Sequence, residues 1–162
     1  MDIKLIEAFN KQINQEFYSA YLYFAMSTYF DEIAMMGFSK FMRHKTCEKL
    51  SRAHKIYDYI ILRDEKLSFS KIEEPSMDWI NVTDIFSSAL AHEEFILEQI
   101  KMLYDVSKQA QDYAALEFIS KLLDCQVKDI GLIRKIVFRA KNANVISGNI
   151  EQLDEKITDF IQ

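Results

Sequence analysis

The scarcity of glycine and proline constrains this chain more than any other feature of its sequence. Its 162 residues include three Gly and one Pro. Because turns and strand corners depend on these two residue types, a chain with so few of them has few turns and long helices. Apolar residues make up 49% of the chain and charged residues 28%, as in an ordinary globular protein. The sequence therefore predicts an all-α fold in a single domain spanning residues 1–162.

The charge distribution and the lack of long apolar runs argue against two classes of partner. The formal net charge is −5, and no block of basic residues stands at either end, whereas nucleic-acid binding depends on clustered Lys and Arg. No segment reaches the ~18 continuous apolar residues of a membrane span, and the first residues lack the pattern of a signal peptide. We therefore predict a cytoplasmic protein that binds neither nucleic acid nor membranes. Cys47 and Cys125 form no CxxC pair, so we expect free, half-buried thiols.

Helical periodicity predicts five helices in a bundle. Their expected ranges are about 2–30 (α1), 38–63 (α2), 83–109 with Thr83 as N-cap (α3), 112–141 (α4) and 149–161 after the Ser147-Gly148 step (α5). The links before α2 and before α4 are short, which favours antiparallel hairpins. The link at about 64–82 holds Pro75 and Trp79, and it is long enough to run along a bundle and make α2 and α3 parallel. The expected fold is a four-helix bundle with one long crossover and a short fifth helix.

Polar side chains interrupt the apolar seam of each of the four long helices near its middle. They are Glu16 in α1, Lys45, Lys49 and Arg52 in α2, Glu93 in α3, and Gln126 and Asp129 in α4. A single one could be a side chain that snorkels at the edge of the bundle. Because a buried charge without a partner costs several kcal/mol, four interruptions at mid-helix favour one shared polar centre.

The composition of this centre indicates ion pairs. A di-iron carboxylate site needs several oxygen ligands, usually with His, and has little use for local cations. We expect Lys49 and Arg52 to pair with Glu16, Glu93 and Asp129. His44, His54 and His92 lie one or two residues from the seams and are predicted to point away from the centre.

These patterns resemble the bacterial non-haem ferritins over nearly the whole chain. The residues that carry the resemblance are 14–20 (NQEFYSA) with Tyr23, 41–43 (FMR), 57–59 (YDY), Pro75 with Asp78-Trp79, 92–94 (HEE), and Gln126 with Asp129. The family's ferroxidase centre uses a Glu on α1, an E-x-x-H pair on α2, a Glu on α3 and a Q-x-x-E pair on α4. The resemblance thus implies a metal site at Glu16, Glu93, Gln126 and Asp129, with the E-x-x-H pair replaced by Lys49 and Arg52.

The resemblance also assigns neighbouring positions. Tyr23 matches the family's redox-active tyrosine. Glu48 matches one ligand of a third iron site, at which Cys125 and Lys128 replace the acids of α4. Leu50 stands where the haem-binding relatives have an axial Met, so no haem is expected.

The function implied is iron storage in a hollow shell of 24 identical subunits. Three alternatives follow for this subunit: a storage cage with an impaired ferroxidase site, an active ferroxidase at a reduced Glu16/Glu93/Asp129 site, and a structural subunit that co-assembles with an active one. A bundle or cage with no iron role is a further possibility. Assembly is expected because the apolar stripe of α5 would be exposed in a lone bundle.

Overall fold

The computed structural model describes residues 1–143 and 149–161, and every regular element in those ranges is a helix. The helices are α1 (Ile3–Glu32), α2 (Met36–Leu62), α3 (Val82–Gln109), α4 (Tyr113–Ala143) and α5 (Asn149–Ile157), followed by a short 3-10 helix (Thr158–Ile161). The all-α prediction is confirmed. The expected break at Ser147-Gly148 lies outside the described residues. Within those residues, no helix is both long and apolar enough to cross a bilayer.

Contacts between aromatic rings fix the direction of the four long helices. At one end of the bundle, Phe30 of α1, Phe38 of α2 and Phe86 of α3 meet with ring centroids 5.1–5.7 Å apart. At the other end, Tyr59 of α2 stacks on Phe118 of α4 at 4.1 Å. The start of α3 therefore lies beside the start of α2, and the two helices are parallel, as the long crossover predicted.

The connection between α2 and α3 runs back along α1. Asn10 Oδ1 accepts a hydrogen bond from the backbone N–H of Ser68, and the rings of Phe17 and Phe69 lie 6.2 Å apart. Further along, the ring of Trp79 meets Tyr29 edge-on at 6.5 Å. These contacts follow α1 towards its C-terminal end, so the connection spans the length of the bundle.

Two helix starts differ from the expectation. Asn81, and not Thr83, is the N-cap of α3, because the Asn81 side chain accepts from the N–H of Asp84 at 2.9 Å. The second helix begins at Met36, which places Gly37 inside its first turn. There the carboxylate of Asp154 in α5 accepts from the N–H of Phe38 at 2.7 Å, so a side chain from the far end of the sequence caps α2.

The apolar core has two parts. One contains Phe30, Phe38 and Phe86 and the other contains Phe9, Ile56 and Ile119. The stripe of α5 packs into the first part, where Leu153 and Ile157 are buried. The expectation that a lone bundle would leave this stripe exposed is therefore wrong.

Candidate metal centre

A layer of buried polar side chains separates the two parts of the core. All four long helices contribute to it, because each seam carries its polar residues near the middle of the helix. The buried members are Gln12, Glu16, Lys45, Lys49, Arg52, Glu93 and Gln126, and Asp129 is half-buried beside them.

Glu93 occupies the middle of this layer and receives three donors. Lys49 Nζ lies 2.8 Å from Glu93 Oε2, and Gln126 Nε2 donates to the same oxygen at 2.6 Å. The Tyr23 hydroxyl donates to Glu93 Oε1 at 2.5 Å. Each oxygen of Glu93 is therefore engaged by the protein's own side chains.

Asp129 receives cations from three positions of α2. Lys45 Nζ lies 2.6 Å from Oδ1, while Arg52 Nη2 and Lys49 Nζ approach Oδ2 at 2.8 and 3.3 Å. The same guanidinium donates from Nη1 to Gln126 Oε1 at 2.7 Å. Lys45, Lys49 and Arg52 recur at steps of four and three, so one face of α2 brings all three charges to this carboxylate.

Glu16 differs from the other two acids. Gln12 Nε2 donates to Glu16 Oε1 at 2.8 Å, while Glu16 Oε2 and Gln12 Oε1 are buried without a hydrogen-bond partner among the described residues. Within the described chain Glu16 makes no ion pair closer than 4 Å, so Lys49 and Arg52 close on Glu93 and Asp129 but leave Glu16 aside. The expected ion pair to Glu16 is wrong.

The electrostatic environment separates the three acids further. Burial raises the pKa of Glu16 above its usual value, and the more distant charges of Arg52 and Lys49 only partly offset this. Burial also works against ionisation of Glu93 and Asp129, but their ion pairs outweigh it and lower the pKa of both carboxyls. Glu93 and Asp129 are therefore held as carboxylates, whereas Glu16 is biased towards the protonated form.

Tyr23 is held in its neutral form beside this centre. Burial, together with the negative charge of Glu93, raises the pKa of the Tyr23 phenol well above its usual value. Its hydroxyl is therefore a hydrogen-bond donor to Glu93, and it stabilises that carboxylate without adding a positive charge.

The remaining candidate residues lie at the rim. Glu48 is exposed and pairs with Lys45 Nζ at 2.5 Å and with His44 Nε2 at 3.4 Å. Cys47 and Cys125 are free, as expected, but they are exposed, so the prediction of half-buried thiols is wrong. His92 turns towards α1, where its Nε2 lies 2.7 Å from the hydroxyl of Ser19.

The donor set does not fit a di-iron site. Iron would need free carboxylate lone pairs, and those of Glu93 and Asp129 accept from ammonium, guanidinium, amide and phenol groups at 2.5–3.3 Å. Hard cations bind through several oxygen ligands at once, and Glu16 Oε2 is the single uncommitted carboxylate oxygen buried among the described residues. No cluster of three or more His, Cys, Asp or Glu is arranged to hold a metal ion within those residues.

Sequence reasoning missed two contributors to this layer. Gln12 was not singled out, although it lies one turn before Glu16 and its side chain is the hydrogen-bond donor to that acid. Lys45 was named without a partner, and it pairs with both Asp129 and Glu48. In both cases the signal was the spacing of four residues from a seam position.

Comparison with known proteins gives concordant results for sequence and fold. The family model for the ferritin-like domain matches residues 6–141. The bacterial non-heme ferritin of Staphylococcus saprophyticus is 33% identical over 126 residues, covering 78% of this chain and 75% of the relative. That of Staphylococcus haemolyticus is also 33% identical, over 125 residues covering 77% and 75%. The crystal structures of an open pore ferritin from Archaeoglobus fulgidus superpose with a TM-score of 0.94 at 31% identity, covering 97% of each chain.

Proposed function

Since this chain belongs to the ferritin family, we propose that it is the subunit of an iron-storage cage in which internal cations replace iron at the ferroxidase centre. The observation that carries the proposal is the contact of Lys49 and Arg52 with Glu93 and Asp129 at 2.8 Å. By the resemblance of the sequences, these positive charges stand at the two positions of α2 where the family has iron ligands. Ferrous iron is the substrate of this centre in the family, and here a lysine and an arginine compete for the same carboxylates.

The cost of separating buried ion pairs supports a centre in which Lys49 and Arg52 stay on the carboxylates and keep iron out. Lys49 is fully buried, and moving its ammonium away from Glu93 would leave the Glu93 carboxylate buried without a cation. Breaking a buried ion pair in this way costs roughly 3–5 kcal/mol, and here each of two iron ions would have to compensate such a loss. We therefore propose that the cage accumulates ferric mineral slowly when alone, or faster when it co-assembles with a subunit whose ferroxidase centre is intact.

Assembly as a closed shell, with 24 copies as the resemblance implies, is part of this proposal. Its support is the TM-score of 0.94 to a ferritin of known structure and the large apolar side chains that the lone subunit exposes, among them Ile80 at 82%. Storage depends on the enclosed cavity, so an iron-storage role without assembly is excluded.

The test is the rate of aerobic Fe(II) oxidation by the native cage and by one double variant. We expect no fast phase that saturates at two irons per subunit in the native protein, with electron-dense cores forming slowly. Lys49→Glu combined with Arg52→His restores the family's ligand types. This variant should melt at a lower temperature without metal, because carboxylates crowd together, and it should regain both stability and the fast phase with Fe(II).

The matched control is Lys40→Glu combined with Lys135→His, which makes the same charge changes at exposed positions outside the polar layer. It should leave the oxidation rate and the response to Fe(II) unchanged. A fast, saturable phase in the native protein would show that Lys49 and Arg52 swing aside and that the alternative, an active ferroxidase at Glu16, Glu93 and Asp129, is correct. A double variant that is indifferent to Fe(II) would place Lys49 and Arg52 outside the iron site.

A further inference from the structure

A groove of about 1000 Å³ separates α2 from α4, and the site described above accounts for only its inner wall. The end of α2 lies beside the start of α4, and the side chains that line the groove give it a polar end and an apolar end. Arg52 and Asp129 face the polar end, and the stacked rings of Tyr59 and Phe118 face the apolar end together with Leu62 and Leu122.

The apolar end is incompletely covered. Leu62 is 83% exposed although it belongs to the lining of the groove, and Tyr59 and Phe118 are half-buried. Covering apolar surface in a concave site with a ligand is favourable because that surface is removed from water. This end therefore favours a ligand with an aliphatic or aromatic body.

The lining also carries unneutralised positive charge towards the polar end. Of its three acids, Asp129 is paired with Arg52 and Glu48 with Lys45, while Asp58 makes no ion pair within the described residues. Its other cations are Lys55, Lys121 and Lys128. Lys121 pairs with Glu117, whereas Lys55 and Lys128 make no ion pair with any part of the chain that the structure describes. A ligand with one negative head group would complement these two lysines.

We propose that this groove binds a medium-chain fatty acid, with its carboxylate between Lys55 and Lys128 and its chain along Tyr59, Phe118 and Leu62. The length of the groove favours a straight chain over a compact ring system. From Lys128 back to Phe118, α4 extends about 15 Å at 1.5 Å per residue, a length that an extended chain of about ten carbon atoms with its head group spans. The groove is a second binding site, independent of whether iron binds between Glu93 and Asp129.

The experiment is calorimetric titration of the assembled, iron-free protein with decanoate below its micelle concentration. Decyltrimethylammonium carries the same chain with the opposite charge, and acetate carries the same head group without the chain. We expect decanoate to bind saturably at one per subunit, acetate not to bind measurably, and decyltrimethylammonium to bind at least roughly tenfold more weakly.

Variants at exposed positions identify the site without threatening the fold. Lys55→Gln combined with Lys128→Gln should weaken decanoate binding by roughly tenfold, since two partly exposed charge contacts are lost. It should also reduce the difference in Kd between decanoate and decyltrimethylammonium. Leu62→Glu should weaken decanoate binding by a similar factor. Lys40→Gln and Ile3→Glu are the matched controls on exposed surface outside the groove and should change nothing.

Three results would overturn the proposal: no saturable binding of decanoate, equal binding of the cationic chain, or an unchanged Kd in the groove variants. Equal binding of the cationic chain would identify a merely apolar site. None of these results depends on iron, so each leaves the proposed storage function to its own test.

Discussion

Glu16 and Glu93 are both fully buried at the same level of the bundle, yet their partners differ in charge. Glu93 neutralises Lys49 at 2.8 Å, whereas Glu16 accepts only from the amide of Gln12. Replacing an acid by its amide removes the charge and little volume. The cost of that replacement therefore depends on whether a buried cation loses its partner.

We predict that Glu93→Gln lowers the free energy of unfolding by roughly 3–5 kcal/mol, because Lys49 is left buried with a more distant partner in Asp129. Glu16→Gln should change it by about 1 kcal/mol or less, since Glu16 makes no ion pair among the described residues and its loss leaves no buried cation without a partner. Chemical unfolding of the two variants at pH 7 measures both values. Equal losses would mean that Glu16 carries a charge paired with Lys49 or Arg52.

His92 gives the protein a pH dependence of its own. Burial lowers the pKa of His92 from 6.5 to about 4. Between these values the unfolded chain binds a proton at this position and the folded chain does not, so stability falls as the pH drops from 6.5 to 4. We expect this loss to reach roughly 1–3 kcal/mol, and His92→Gln should flatten the profile in that interval. Unfolding curves at pH 4.5, 5.5 and 7 test it, and parallel profiles in both proteins would contradict it.

At the residue scale, the sequence predicted which side chains enter the bundle and that Lys49 and Arg52 pair with Glu93 and Asp129. It did not predict that Glu16 takes no part in these ion pairs. Lys49, Arg52, Glu93 and Asp129 all lie at seam positions, and spacing is visible in one dimension. The assignment of donors to acceptors depends on side-chain reach across four helices. Glu16 loses the competition for Lys49, which has Glu93 within 2.8 Å, and no pattern in the sequence contains that distance.

At the scale of single elements, the fit of α5 against the start of α2 depends on Gly37. A Cβ built on Gly37 would lie 1.8 Å from the backbone oxygen of Asp154, so a side chain there would force α5 away. We predict that Gly37→Ala undocks α5 and lowers the melting temperature by several degrees, because Leu153 and Ile157 lose their cover.

Gly131→Ala is the matched control for this prediction. It places the same methyl group in mid-helix, where nothing lies within 4 Å, and should stabilise the protein by roughly 0.5–1 kcal/mol through helix propensity. Thermal unfolding of both variants decides the matter. If Gly37→Ala were as stable as the native chain, α5 would dock by a different contact.

The helix ends explain how the chain folds with so few glycines. Ala34, Asp64 and Gln111 all adopt the left-handed conformation, with φ of 53–58°. In each case the next residue donates its N–H to the carbonyl five positions earlier, as Met35 does to Phe30 at 2.9 Å, which satisfies the exposed end of the helix. Few glycines therefore still indicated few turns and long helices. The exact stops were not all predictable, because Ala34 and Gln111 belong to residue types that rarely adopt this conformation, whereas Asp64 is of a type that tolerates it.

At the scale of the whole molecule, the crossover was the most predictable feature and the surface the least. The segment before α3 is long enough to span the bundle, and it does so along α1. The sequence also suggested α5 as the source of assembly, but α5 packs on its own subunit. Exposed apolar residues lie instead on the long helices and on the crossover. Hydrophobic periodicity alone cannot separate core-facing residues from residues that face another subunit.

Assembly should depend on the flank formed by α1 and the crossover. Tyr21 and Phe24 of α1 are about half exposed, and Phe69 of the crossover is 62% exposed against the same helix. An exposed apolar flank of this kind is typical of a protein–protein contact. We predict that Tyr21→Lys combined with Phe24→Lys leaves the subunit helical but yields species much smaller than the native shell, since two like charges from each subunit would face their copies across the contact. Light scattering and circular dichroism measure size and helicity together.

Phe95→Lys combined with Met102→Lys, on exposed positions of α3, is the matched control and should assemble as the native protein does. If the α1 variant retained the native size, or if the native protein were itself a monomer or dimer at micromolar concentration, this flank would not be the assembly surface.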